Sequence, residues 1–262
     1  MSKKKIVGSC RICGKDGPLT EEHYIPKAAG GGAKITMYSG NELLKSLNDD
    51  PADLPRGKIK QSGLSSYSLC KQCNDLSGYS YDNDFAYLYN GINSQIPNLI
   101  KIPNGTNILS FLENRTVSME LIDIKPMNIA KRILVSFCSV EHPGLTNRLP
   151  EIRQAILEQD YKPNAEGFSI YLSLHLGHSA FYGTVAAMKT LDDHIKIEAF
   201  AGIESELIAF YFTSHGDTKA NGLEHCIDIT HWLTDYEFNE QVNMPIELTF
   251  IKSRSIKFPL PN

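Results

Sequence analysis

The sequence predicts an α+β fold in two parts. Residues 1–95 make a small cysteine-stapled module, and residues 96–262 make an α+β domain with a largely antiparallel sheet. Three observations lead there. Four cysteines fall into two pairs of identical spacing, Cys10/Cys13 and Cys70/Cys73. Apolar residues recur at helical spacing after Pro126. Several β-rich runs separated by short turns crowd the C-terminal part.

Composition sets the frame for these elements. The 262 residues are 42% hydrophobic and 21% charged, ordinary globular material that excludes collagen-like, coiled-coil and grossly disordered chains. No apolar run approaches the ~18 residues of a membrane span, so no membrane partner is expected. The start, Met1-Ser2-Lys3-Lys4-Lys5, leads into Ile6-Val7-Gly8 without the apolar core of a secretion signal, and the expected location is cytoplasmic. The net charge of −4 argues against a general nucleic-acid coating protein, but the charge is uneven. Residues 1–78 carry 12 Lys/Arg against 8 Asp/Glu, and the remainder 14 against 22. A polyanion contact is therefore expected at the front of the chain.

The cysteines come first in chain order. In a cytosol-like chain, six cysteines are not a disulfide framework. Two residues between thiols let both sulfurs of a turn face one ion. Two such turns, Cys10-Arg11-Ile12-Cys13 and Cys70-Lys71-Gln72-Cys73, complete a tetrahedral zinc shell. Gly14 follows the first pair, where a tight turn calls for positive φ. A redox dithiol is the other reading of C-x-x-C, although a thioredoxin-like motif would not be repeated. Cys138 and Cys226 sit in apolar contexts and are read as packing residues.

Between the turns runs Leu19-Thr20-Glu21-Glu22-His23-Tyr24-Ile25-Pro26-Lys27, then Ala28-Ala29-Gly30-Gly31-Gly32; the second pair continues Cys73-Asn74-Asp75-Leu76-Ser77-Gly78. This order of C-x-x-C, E-H-x-I-P-K with glycines, and L-C-x-x-C-N-x-x-x-G resembles the HNH endonuclease family, the ββα-metal nucleases. The resemblance covers about the first third of the chain. It implies a β-hairpin followed by a helix, stapled by a structural Zn²⁺, with a second divalent cation (Mg²⁺ or Mn²⁺) between hairpin and helix. His23 would be the general base that activates water, and Glu22 and Asn74 would hold the catalytic cation. The carboxamide oxygen of Asn74 suits a hard ion better than zinc.

In an extended segment neighbouring side chains point to opposite faces, so Glu22 and His23 share a site only if the strand bends there. Two departures from the family pattern stand out. Ser65 falls where a middle Asn is usual, and Asn74 falls where a second His is common. Lys27 and Lys71 flank the motif. Arg56, Lys58 and Lys60 alternate, so on a strand they share a face that can meet phosphates or simply face solvent. Asp82 and Asp84 precede Phe85, Tyr87 and Leu88, and one or the other is expected to cap a second helix. Tyr79, Tyr81, Tyr87 and Tyr89 are read as packing residues rather than base-stacking ones.

Beyond Ile96, Pro97, Pro103, Asn104 and Gly105 mark a linker or loop. A helix is expected from Pro126 to Val140 and a second from Pro150 to Gln159. Strands are expected over Phe168–Leu176, Ala180–Met188, Ile195–Ala201, Leu207–Thr213 and Ile246–Ile251, with turns at Gly177-His178, Asp192-Asp193 and Gly202. They suggest an antiparallel meander with helices on one face. His175 and His178 have no acid nearby in sequence and are read as structural. His215, His225 and His231 are read as surface or packing residues, and Trp232 as core.

The expected function is metal-dependent hydrolysis of phosphodiester bonds in DNA, with RNA also open. A restriction, phage-defence or mobile-element setting is the context such modules suggest. The competing reading is a non-catalytic zinc-binding module that holds nucleic acid or a protein partner.

Overall fold

The computed structural model describes residues 5–37, 57–100, 108–141, 144–176, 180–191, 194–205, 207–214 and 223–252. Arg56, His178 and His215 lie outside them, and so do the turns expected at Gly177 and Asp192-Asp193.

The chain begins as a hairpin, β1 (Val7–Ser9) against β2 (Asp16–His23), and the first cysteine pair forms its turn. Gly14 sits there at φ +76°, donating its N–H to the Cys10 carbonyl at 2.8 Å. A small sheet of β3 (Ile35–Met37) and β4 (Lys58–Lys60) follows. Next comes β5 (Ser65–Cys70), antiparallel to β2 and completing a three-stranded sheet in the order β1-β2-β5. Without a loop β5 enters α1 (Lys71–Ser80), so Cys70 and Cys73 stand at a helix start. The glycine run answers a close approach: a Cβ on Gly31 would lie 1.7 Å from the Ile25 carbonyl oxygen.

Helix α2 (Asp82–Leu99) runs through Pro97, where the sequence predicts a linker, and the 95/96 boundary falls inside it. Phe85, Leu88, Tyr89, Ile92 and Ile96 form one buried stripe whose packing carries the helix past the proline. Neither Asp82 nor Asp84 caps it. Tyr81 holds the N-cap position, and both acids lie in the first turn, where the helix dipole favours them. Tyr81 and Tyr89 are buried as expected, whereas Tyr79 and Tyr87 are exposed.

After α3 (Ile108–Leu112) and β6 (Thr116–Ile124), α4 (Pro126–Val140) occupies the centre of the molecule. Pro126 takes the first helical position, where its missing N–H costs nothing. Every residue from Pro126 to Ser139 is buried, including Asn128, Lys131 and Arg132. Each of these has a partner: Lys131 Nζ donates to the Glu158 and Gln159 carbonyls at 2.8 and 2.6 Å, just past α6 (Pro150–Leu157). The short α5 (Leu145–Arg148) precedes α6.

A seven-stranded sheet closes the fold. It comprises β7 (Phe168–Leu176), β8 (Ala180–Leu191), β9 (His194–Glu204), β10 (Ile208–Ser214), β11 (Ile227–Asp228), β12 (Val242–Lys252) and β6. Its order is β6-β12-β7-β10-β9-β8, with β11 added on β7. The fold is thus α+β, as the sequence predicts. The meander holds for β8-β9-β10, while β12 joins β7 in parallel and β6 adds an edge strand. Gly202 is not a turn residue. It lies within β9 opposite Tyr211, and the turn is closed three residues later by the Ser205 N–H on the Ile208 carbonyl. Trp232 is buried, in a 3-10 turn over Thr230–Leu233. His175 is buried too, with its acid supplied from a distance: Nε2 lies 3.3 Å from Glu204 Oε2.

One hydrophobic core joins the two parts, running from Cys10, Ile12 and Leu69 through Phe85 and Phe137 to Phe210 and Phe250. Arg11, inside the first cysteine turn, donates to the Ser139 and Glu141 carbonyls at 2.6 and 2.7 Å. A cation there suits the C-terminal end of α4. Among the described residues, no helix is long and apolar enough to cross a membrane.

Candidate metal centre and histidine site

Cys10, Cys13, Cys70 and Cys73 converge, with all four sulfurs within 4.8 Å of one another. Tetrahedral zinc with arms of ~2.3 Å requires sulfurs about 3.8 Å apart; Cys13 Sγ and Cys70 Sγ are 3.8 Å apart. Cys10 and Cys73 are buried and the other two half-buried. The Cys73 thiol and nearby backbone groups pull the Cys10 thiol down to about 4. The same proximity pushes Cys73 up, and burial raises Cys13. Sulfurs crowded this closely share protons, which a cation would displace. The donor set, spacing and burial fit a metal ion such as zinc. Cys138 is buried but is not one of the four clustered sulfurs, and Cys226 packs against a satellite cluster, so neither joins the site.

Glu22 and His23 end β2, opposite Ser66 and Ser65 of β5. The register slips between Thr20 and Glu21, with Ser68 the additional residue on β5. Alternation along β2 survives this bulge, and Glu22 and His23 point to opposite sides. Glu22 faces α4: its Oε1 accepts from Arg132 Nη2 at 2.8 Å, and Arg132 Nε donates to Asp82 Oδ1 at 2.5 Å. Burial pushes the Glu22 carboxyl up to about 7 despite the guanidinium beside it.

The acid on the His23 side is Glu21. Its Oε1 accepts from Ser62 Oγ at 2.7 Å and Ser65 Oγ at 2.6 Å, and Lys60 Nζ lies 3.9 Å away. These hydroxyls and the lysine hold its carboxyl below the ordinary range. Ser65, standing where the family pattern has Asn, thus spends its hydroxyl on Glu21.

His23 is 8% exposed, and among the described residues its buried Nε2 has no hydrogen-bond partner. Burial and the Lys27 charge lower its pKa, outweighing the opposing pull of Ser62 and Glu21. The lowered pKa favours the neutral imidazole. Its backbone is held from α4, because Arg132 Nη2 donates to the His23 carbonyl at 2.7 Å.

Asn74 ties α1 to β2, its Nδ2 donating to Thr20 Oγ1 at 2.8 Å and to the Glu21 carbonyl at 3.2 Å. Lys60 turns inward onto the Ser65 carbonyl and Lys58 points to solvent. Lys71 is exposed and pairs with Asp75 one helical turn on. The expected cation pair therefore divides: Asn74 lies beside Glu21, whereas Glu22 is committed to Arg132.

Arg132 and Glu21 are the site residues that motif reasoning misses. Arg132 had a signal, a charge on the apolar stripe between Ile129 and Ser136 where only a paired cation can be buried. Glu21 had the i, i+2 relation to His23. No protein-family model matches the chain, and neither a curated protein nor a solved structure matches it.

Proposed function

We propose that the chain is an HNH-type endonuclease that hydrolyses phosphodiester bonds in DNA, with RNA as the alternative substrate. One observation carries this reading. At the end of a hairpin strand that a four-cysteine cluster joins to a helix start, His23 has a buried Nε2 without a partner among the described residues and a lowered pKa beside Lys27 and Lys60. A neutral imidazole accepts a proton from water, and neighbouring ammonium groups attract a phosphate. In this reading zinc in the cysteine cluster is structural, and the exposed Lys27 and Lys58 contact the backbone of the nucleic acid.

The sequence pattern also implies Mg²⁺ or Mn²⁺, which when bound would neutralise charge on the scissile phosphate. The residues fit it only in part. Asn74 has its amide oxygen left over, but a guanidinium already occupies Glu22 and would repel a second cation. The chain's own contribution is the base, the lysines and the rigid hairpin.

The Glu22–Arg132 pair favours one rival, a zinc-stapled module that binds nucleic acid or protein without cleaving. Plasmid nicking with Mg²⁺ or Mn²⁺ decides. Nicking that His23→Ala abolishes, at unchanged zinc content, supports the enzyme. No nicking in any divalent metal leaves the binder.

A further inference from the structure

A two-lobed groove lies between the end of α1, the start of α2 and the segment entering β12. One lobe, about 350 Å³, is bordered by Tyr79, Gln159, Phe238 and Asn239. The other, about 380 Å³, is bordered by Tyr87, Asp123 and Gln241. Asn83, Asp84 and Lys125 line both.

The groove has a built polar floor. Asn128, fully buried on α4, donates to Asp84 Oδ2 at 2.7 Å and to Asn239 Oδ1 at 2.9 Å, and accepts the Asn239 N–H at 3.1 Å. Two of the three non-glycine residues with positive φ among the described residues border this groove, Asp123 at +51° and Asn239 at +63°. Such backbone persists where its surroundings over-determine it, often at binding sites. Both are held by side-chain amides, Asp123 through its N–H on Asn243 Oδ1 at 2.8 Å.

The lining indicates the ligand. Lys125 is paired with Asp84 at 3.3 Å, and Asp123 adds a negative charge, so the groove can take bases only with the phosphate that links them held outside it, in solvent. Each lobe instead offers one tyrosine ring, Tyr79 at 88% and Tyr87 at 54% exposure. Amide side chains stand around them: Asn83, Gln159, Asn239 and Gln241. Exposed rings ringed by neutral donors and acceptors suit flat, uncharged groups with mixed hydrogen-bonding edges. Tyr79 follows Asn74 by five residues of α1, about 7.5 Å along the helix axis.

We propose that this groove seats two successive bases of an unpaired stretch of nucleic acid, one against Tyr79 and one against Tyr87. The site rests on the nucleic-acid reading above and supplies what the lysine face lacks, contact with bases rather than phosphates.

Fluorescence anisotropy with labelled decathymidylate, in the His23→Ala protein without added divalent cation, tests it. Tyr79→Ala and Tyr87→Ala are surface changes and should each weaken binding about tenfold. Tyr→Phe at either position should restore it, because the ring face carries the contact. Unchanged affinity in the double alanine variant, failure of Phe to restore it, or no decathymidylate binding at all overturns the groove. Tyrosine-dependent binding by a chain that nicks nothing keeps the groove and removes the nuclease. Nicking with tyrosine-indifferent binding removes the groove and keeps the nuclease.

Discussion

Arg132 Nη2 bridges Glu22 Oε1, at 2.8 Å, and the neighbouring His23 carbonyl, at 2.7 Å, from a helix more than a hundred residues downstream. One guanidinium thereby neutralises the carboxylate and fixes the strand end that carries the imidazole. Ser136, one turn further along α4, adds a bond to the Tyr24 carbonyl at 2.7 Å. The E-H-x-I-P segment is held rigid by the domain behind it.

Breaking this pair from one side should cost far more than removing it. Above about pH 7, where Glu22 is ionised, Arg132→Met leaves a buried carboxylate unpaired and should lower stability by about 3–5 kcal/mol. The double variant Arg132→Met with Glu22→Gln should recover a large part of that. Urea unfolding of the three proteins checks it. Equal losses in the single and double variants would show that the guanidinium matters only through its other partners, Asp82 and Ser136.

Glu22 should also impose a pH dependence on stability. Its carboxyl shifts from the ordinary 4.5 to about 7 in the fold. Between those values the folded chain holds a proton that the unfolded chain has released. The contribution is thus fully present below about pH 4.5 and lost as the pH rises to about 7, at no more than about 1.4 kcal/mol per unit. Glu22→Gln has no proton to lose. Its melting temperature relative to wild type should climb across that window, and a constant difference would contradict the assignment.

How much of this was legible in sequence follows from the range of the interactions. The cysteine cluster was, because C-x-x-C spacing is local chemistry. Helix α4 and strand β7 begin and end as their periodicity predicts. Partners set by tertiary contact were not. Asp82 reads as a cap from its neighbours but answers to Arg132. Glu204 meets His175 only because β7 and β9 flank β10. Glu22 looks like the companion of His23 by adjacency, yet strand alternation separates them and makes Glu21 the companion.

The cysteine cluster should hold one zinc ion per chain. Cys70→Ser should reduce metal content to near none and, since structural zinc contributes folding energy directly, lower the melting temperature by about 10 °C or more. Cys138→Ala, a core change outside the four-sulfur cluster, should leave zinc content unchanged. Native mass spectrometry reads both. Full zinc occupancy in Cys70→Ser would remove that cysteine from the shell.

The sharpest test of the histidine site is the acid limb of its pH profile. His23→Ala should lower kcat by about 10²–10⁴-fold, the usual worth of a positioned base. In wild type, burial and Lys27 hold the imidazole below its ordinary 6.5, so activity should persist below that pH before falling as the ring protonates. Glu21→Gln removes the negative charge that favours imidazolium and should move the midpoint further toward acid. Lys27→Met removes a positive charge that opposes it and should move the midpoint back up. Both shifts are read in kcat at saturating DNA, where weakened phosphate contacts no longer limit the rate. Midpoints that stay fixed in both variants would mean that the group titrating in the profile is not His23, and the base would have to be sought elsewhere.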